Sequence, residues 1–376
     1  MELMIAGDLA PTKSNIDLFN NAKINDLLGE DLLALWEAAD IRIFNLEVPL
    51  VDREDPIDKC GPRLISATSA IKGIKALNPW LVCLANNHIM DQGVQGLLST
   101  INLLKEKEIA FIGAGANIDY ARRPYIIEEG GIRLGIYACA EHEFSIAGSQ
   151  MPGANPFDPL ESLDDIEGLK KACDYLIVLY HGGKEHYPYP SPYLQRVCRK
   201  LAQKGADLII CQHSHCIGCY EEYDKSTIIY GQGNFIFDYS DSDYWKTSLL
   251  LNVKIDKELE IEYIPFVKKD NKIRLAKGEK KQEILSAFEK RTKEIQKKGF
   301  IEESYEELAE QNIQSYLRRL SASGKWLRRI DYHLLKGRLI KHRYNKRNLL
   351  AIENSIECET HRELLIRGLR KISRKE

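Results

Sequence analysis

Side chains able to bind a divalent cation recur along the chain: Asp8, then Asn45 with Glu47, then Asn86, Asn87, His88 and Asp91, then His181, then His213 with His215. Carboxylate and amide oxygens mixed with imidazole nitrogens suit borderline-to-hard metals such as Mn, Fe or Zn. His213 and His215, two residues apart, can face one or two ions from a non-helical loop. A carboxylate such as Glu47 can bridge a pair of ions held about 3.5 to 4 Å apart, and water bound there becomes hydroxide near neutral pH. With a metal-bound hydroxide as nucleophile, no Ser or Cys is needed for hydrolysis.

The elements that must position these groups follow from patterning. Short β-type runs such as LMIAG, IRIFNL, WLVCLA, YLIVLY and DLIICQ alternate with helical periodicity over 24–38, 94–106, 160–172 and 192–204. Strands alternating with helices predict an α/β core. The runs around 226–267 have few helices between them, which predicts an antiparallel portion or second sheet and a mixed-sheet sandwich. The metal-capable residues fall at strand C-terminal ends, where loops of an α/β sheet converge on one crevice. After Val267 long polar stretches carry apolar residues at helical spacing, so the expected division is 1–267 and 268–376, with KKDNK, Lys268 to Lys272, as linker.

The 376 residues are 44% hydrophobic and 29% charged, the composition of a globular enzyme. The N-terminal stretch lacks a secretory pattern and no segment has the roughly 20 apolar residues of a membrane span, so a cytoplasmic location is expected. Nine scattered cysteines fit reduced thiols better than a disulfide framework. Residues 268–376 hold 29 Lys+Arg against 16 Asp+Glu. Such a tail docks on an acidic body or meets something acidic, a peripheral membrane surface included; no motif supports nucleic acid.

The ordered segments Gly7-Asp8, Asn45-Leu46-Glu47, Asn86-Asn87-His88-Ile89-Met90-Asp91-Gln92-Gly93, His181-Gly182-Gly183-Lys184-Glu185, His213-Ser214-His215 and Gly231-Gln232-Gly233-Asn234-Phe235 resemble the signatures of the CapA family of capsule-synthesis proteins. The resemblance spans residues 3 to about 240. It implies a calcineurin-like metallophosphoesterase fold, two mixed sheets flanked by helices, with one or two divalent ions. By position, Asp8 and His215 hold one ion, Asn87, His181 and His213 the other, and Glu47 lies between. His88 protonates the leaving group and Asp91 orients it. Asn45, Asn86, Glu185, His186 and Asn234 stand around the ligands. The sequence departs from the Asp-x-His opening of metallophosphoesterases at Ala10, which removes one expected ligand.

Blander readings exist. Asp8 fits an Asx turn, Glu47 a solvated loop acid, Asn45 a turn cap and Asp91 a helix N-cap. Cys211, Cys216 and Cys219 read as small buried thiols, since one C-x-x-C without a second pair makes a poor zinc module. The expected function is hydrolysis of a phosphoester linked to capsule or cell-surface polymer biosynthesis, on a small-molecule or anionic polymer substrate. Two alternatives are an amide hydrolase or transferase acting on poly-γ-glutamate or a related polymer, and a non-catalytic assembly or binding protein on the same fold.

Overall fold

A computed structural model of the chain describes residues 1–321, 324–336, 338 and 343–373. Its strands begin with β1 (Glu2–Ala10), β2 (Ile41–Leu46), β3 (Leu81–Cys83), β4 (Ala110–Ile112), β5 (Ala114–Gly115), β6 (Tyr125–Glu129), β7 (Ile132–Ala140) and β8 (Gly153–Ala154). There follow β9 (Tyr175–His181), β10 (Leu208–Gln212), β11 (Tyr220–Tyr223), β12 (Ser226–Ile229), β13 (Asn234–Phe237), β14 (Thr247–Ile255), β15 (Leu259–Lys269) and β16 (Lys272–Leu275).

One large sheet has the order β16-β15-β14-β1-β2-β3-β4, with β13 also parallel to β1, and a second large sheet runs β11-β12-β10-β9-β7-β6, while β5 and β8 form a small antiparallel pair. Both large sheets are mixed. Strands β1 to β4 are parallel and the late strands β14 to β16 extend that sheet antiparallel, so the antiparallel portion expected from 226–267 is an edge of the first sheet.

Strand alternation builds the layers. Leu3 and Ile5 of β1 face an inter-sheet core with Ile177, Leu179 and Ile210, while Met4 and Ala6 face Trp36, Ile74 and Leu97 of the covering helices. On the far face, Val178 and Ile209 pack against Ile166, Val197 and Leu201. Each fully buried Leu or Ile contributes about 1.5–3 kcal/mol, which is why successive residues of one strand must both be apolar here. The result is the expected α/β sandwich of mixed sheets flanked by helices.

Two boundaries differ from the periodicity. The helix expected over 24–38 is interrupted at Gly29, whose φ of 75° is left-handed, giving Ile24–Leu28 and Glu30–Ala38. The expected linker Lys268–Lys272 is a hairpin turn instead, with Lys269 paired to Lys272 and Asp270 at φ 56°. Polar turn residues mark a chain reversal as well as a linker, and here Ile273 beyond the turn is buried in the helix-covered core. The helix Gly278–Ile295 likewise belongs to the sandwich, because Ile284 and Phe288 complete the inter-sheet core. The chain divides into the compact units Met1–Ile301 and Glu302–Glu376, whereas the sequence pattern places the change of character at 267/268.

The second unit is helical, with Lys325–His333, Lys346–Glu357 and Glu359–Ser373 among its elements. Among the described residues no helix is long and apolar enough to cross a membrane.

Candidate metal centre

The exits of five strands carry the donors. A Cβ on Gly7 would lie 2.0 Å from the Gly233 carbonyl oxygen, so glycine is what lets β1 approach the turn before β13. That approach sets Asp8 opposite Asn234 on one side and Asn45 of β2 on the other. Glu47 follows β2, and Asn87 and His88 follow the exit of β3. β9 ends on His181, opposite Gln212, the last residue of β10. The next turn holds His213 at φ 82° and His215 at φ 53°. Left-handed backbone at a non-glycine residue costs about 1–3 kcal/mol and persists where surroundings enforce it, often at functional sites.

The donors converge. Glu47, His181 and His213 offer ligand atoms within 4.8 Å of one another, and so do Asp8, Glu47 and His215, all of them buried. Glu47 belongs to both groups. Its side chain is fully buried, yet neither carboxylate oxygen accepts a hydrogen bond, although His181 Nε2 lies 3.3 Å from Oε1. Burial first, and Asp8 second, push its carboxyl up to about 8. Burial also lowers His181, and lowers His213 well below the usual imidazole range with help from His181 and His215. Neutral imidazole is the metal-binding form, and an unbonded buried carboxylate is compensated best by a cation. The donor set therefore fits divalent metal, with Asn87 Oδ1 3.0 Å from His181 Nε2 as a further oxygen.

The expected surrounding groups divide. Asn45 Nδ2 donates to Asp8 Oδ1 at 2.7 Å and sits 3.3 Å from His181 Nδ1, so it braces Asp8 and His181 rather than capping a turn. Asn86 Nδ2 donates to Asn45 Oδ1 at 3.0 Å, and Asn234 Oδ1 lies 2.8 Å from His215 Nδ1. Asp8 accepts from the His213 backbone N–H at 3.2 Å, a long-range contact unlike an Asx turn. Glu185 and His186 are exposed. Glu185 acts on Glu47 only through its charge, and His186 Nε2 accepts from Trp245 Nε1 at 2.8 Å.

His88 Nδ1 meets Asp91 Oδ2 at 2.6 Å. The N-cap reading of Asp91 does not hold, because the helix Gly93–Glu106 has Gln92 at its cap position with no side-chain cap. The carboxylate is engaged instead by His88, the Leu64 backbone N–H at 2.6 Å and Lys59. His88 directly follows Asn87, whose Oδ1 lies 3.0 Å from His181 Nε2.

Sequence reasoning missed several neighbours. Glu143 accepts from Asn87 Nδ2 at 2.8 Å and Glu141 accepts from the Gly183 N–H at 2.9 Å. Both follow β7, so the strand-exit rule applied to IRLGIYAC would have found them. Trp245, its ring centroid 4.6 Å from that of His215, and Lys59 carry no such signal. Cys211, Cys216 and Cys219 are buried free thiols, as expected, and among the described residues no cation-capable cluster includes a cysteine. His342 lies outside the described residues.

Residues 2–239 match the family described as bacterial capsule synthesis protein PGA_cap. The chain belongs to that family. The PGA_cap match runs from β1 through β13 and so contains every donor of the centre. Among curated relatives, the capsule biosynthesis protein CapA of Bacillus anthracis is 29% identical over 181 residues, 46% of this chain and 44% of that protein. The PGA biosynthesis protein CapA of Bacillus subtilis strain 168 is 31% identical over 173 residues, 45% of either chain. The PGA_cap chain thus spans less than half the length of these relatives. Of the solved structures, the NAD nucleotidase of Haemophilus influenzae is similar at 14% identity and a TM-score of 0.44, over 77% of this chain and 56% of that one. The 5'-nucleotidase precursor of Thermus thermophilus is similar at 17% identity and a TM-score of 0.42, over 77% and 58%.

Proposed function

We propose that this PGA_cap chain is a metal-dependent hydrolase of phosphoesters that serves capsule or cell-surface polymer biosynthesis. The observation carrying the reading is Glu47, a buried carboxylate without hydrogen bonds that is shared by two donor clusters. Asp8 and His215 would hold one divalent ion, His181, His213 and Asn87 the other, with Glu47 between. Bound between these residues, Mn, Fe or Zn would supply Lewis-acid polarisation of the ester and a water whose pKa lies near neutrality. The protein's own part is the proton. With Nδ1 engaged by Asp91, His88 has Nε2 left to donate as the P–O bond breaks, so the departing oxygen leaves as an alcohol while water oxygen joins phosphorus.

A second reading is supported by the relatives' names, since one is a PGA biosynthesis protein and a Mycobacterium tuberculosis relative, 29% identical, is named for polyglutamine synthesis. In it the same site acts on an amide of a γ-linked glutamyl polymer, and His88 protonates the departing amine. The test is turnover by protein loaded with Mn, Fe or Zn on a phosphodiester, a phosphomonoester and a γ-glutamyl peptide. One ester class should turn over, and His88→Ala should lower that rate about 10²- to 10⁴-fold. Turnover of the peptide alone replaces the first reading by the second. An unchanged rate in His88→Ala removes its role, and turnover of nothing leaves a binding protein.

A further inference from the structure

We infer that Lys59 is a positioning residue, acting on His88 through Asp91; the inference rests on the hydrolytic reading above. The chain from Val51 to Ile65 is a loop without helix or strand, and most of its residues from Asp52 to Pro62 are exposed. Lys59 breaks that pattern, its side chain being 2% exposed. Its Nζ is bonded to Asp91 Oδ1 and lies 3.2 Å from His88 Nδ1.

The rest of the loop is tied to the same turn. Leu64 N–H donates to Asp91 Oδ2 at 2.6 Å, Ile57 N–H to the Asp91 carbonyl at 3.1 Å, and Asp55 N–H to Gln92 Oε1 at 2.8 Å. Gln92 Nε2 returns a bond to the Leu64 carbonyl at 3.0 Å.

Burying a lysine costs its hydration and much of its rotamer freedom, which a solvated loop has no reason to sacrifice without a specific partner. That partner is Asp91, itself fully buried. With His88 and Leu64 on Oδ2 alone, Oδ1 would be an uncompensated buried acceptor and the carboxylate could rotate toward water or another donor. Lys59 occupies Oδ1, so both oxygens have fixed partners and Oδ2 stays aligned on Nδ1. The imidazole then has one orientation, with Nε2 as its remaining donor. The lysine reaches the chemistry only through this chain of contacts.

The leaving group provides the test. An alkyl phosphoester needs a proton on its departing oxygen, whereas a p-nitrophenyl phosphoester departs without one. In the metal-loaded full chain, Lys59→Met should slow the alkyl ester at least about tenfold more than the nitrophenyl ester. The ratio is internal to each preparation, so a smaller folded fraction does not move it. If Lys59→Met does not fold, Lys59→Ala supplies the same ratio, and Lys59→Gln, which keeps a donor for Oδ1 without the charge, should return it toward the wild-type value. A second readout uses metal-free protein: the hydrogen-bonded Nδ1 proton of His88 should give a downfield NMR resonance in the wild type that is lost to exchange in the variant.

Equal losses on both esters, or an unmoved resonance, overturn the inference while leaving the hydrolytic reading standing. Failure of the wild-type chain to turn over either ester overturns that reading and this inference together.

Discussion

The two halves of the centre share Glu47 and differ in everything else. One combines His181 and His213, both lowered by burial toward the neutral, metal-binding form, and adjoins the Asn87 amide oxygen. The other has Asp8 and His215, carries Ala10 where an Asp-x-His opening places an imidazole, and is walled by the Trp245 and Phe237 rings at 4.6 and 5.7 Å from the His215 ring. The difference teaches that a shared bridge does not make two equal sites. Donor number and neutral imidazoles predict a tight ion in the first half and a weaker, water-rich ion in the second.

The largest effect should come from the residue that links the halves. Glu47→Gln is expected to empty both and to cost turnover more than the roughly 100-fold typical of a group that only braces a ligand. It should also change the metal-free protein in the opposite sense. With its carboxyl raised from 4.5 to about 8, folded Glu47 holds a proton that the unfolded chain has released across that window. Its contribution to stability is therefore complete below about pH 4.5 and declines as pH rises toward about 8. His181 and His213, lowered by burial, contribute stability that rises with pH over the lower part of that window, so the decline is read as the difference in thermal unfolding between metal-free wild type and Glu47→Gln. A difference that is flat over the window removes the claim that Glu47 stands uncompensated without metal.

A smaller effect should separate the halves. His213→Ala is expected to lose the tight ion, whereas His215→Ala should keep it and lose the weak one. Metal content by elemental analysis after gel filtration reads this directly. The reverse ranking, with His215→Ala emptier than His213→Ala, would break the comparison.

Much of this was legible in the residues. Strand exits are marked by β-type runs stopping at acids, amides and imidazoles, and that placement brings the donors to one crevice; their division into two groups is what the family resemblance implies. Other things escaped. A polar turn reads alike whether it joins domains or strands, so Lys268–Lys272 reads as a linker. Asp91 reads as a helix cap or as the partner of His88, and its 2.6 Å contact with His88 Nδ1 is the second. Lys59 occupies a non-periodic stretch whose exposed neighbours give no hint that one side chain is buried; its partners are about thirty residues away in sequence and adjacent only in space.

The smallest effect is a gain at Ala10. Its side chain is buried beside Leu9, but it also borders a cleft of about 550 Å³ lined by Thr12, Val48, Leu64 and Phe237. Asp8 and Ala10 lie two residues apart on β1 and so share a face, broken only by the irregular register between them opposite β13. Ala10→His should then add a nitrogen to the Asp8/His215 half at some cost to the helix-covered core that Ala10 belongs to, raising the affinity of the weak ion by about tenfold. Titration of metal-free protein with Zn would show the second binding step moving toward the first. If the step stays in place while the first is unchanged, Ala10 faces away from the ion, and the inequality of the halves lies in the aromatic wall around His215 rather than in a missing ligand.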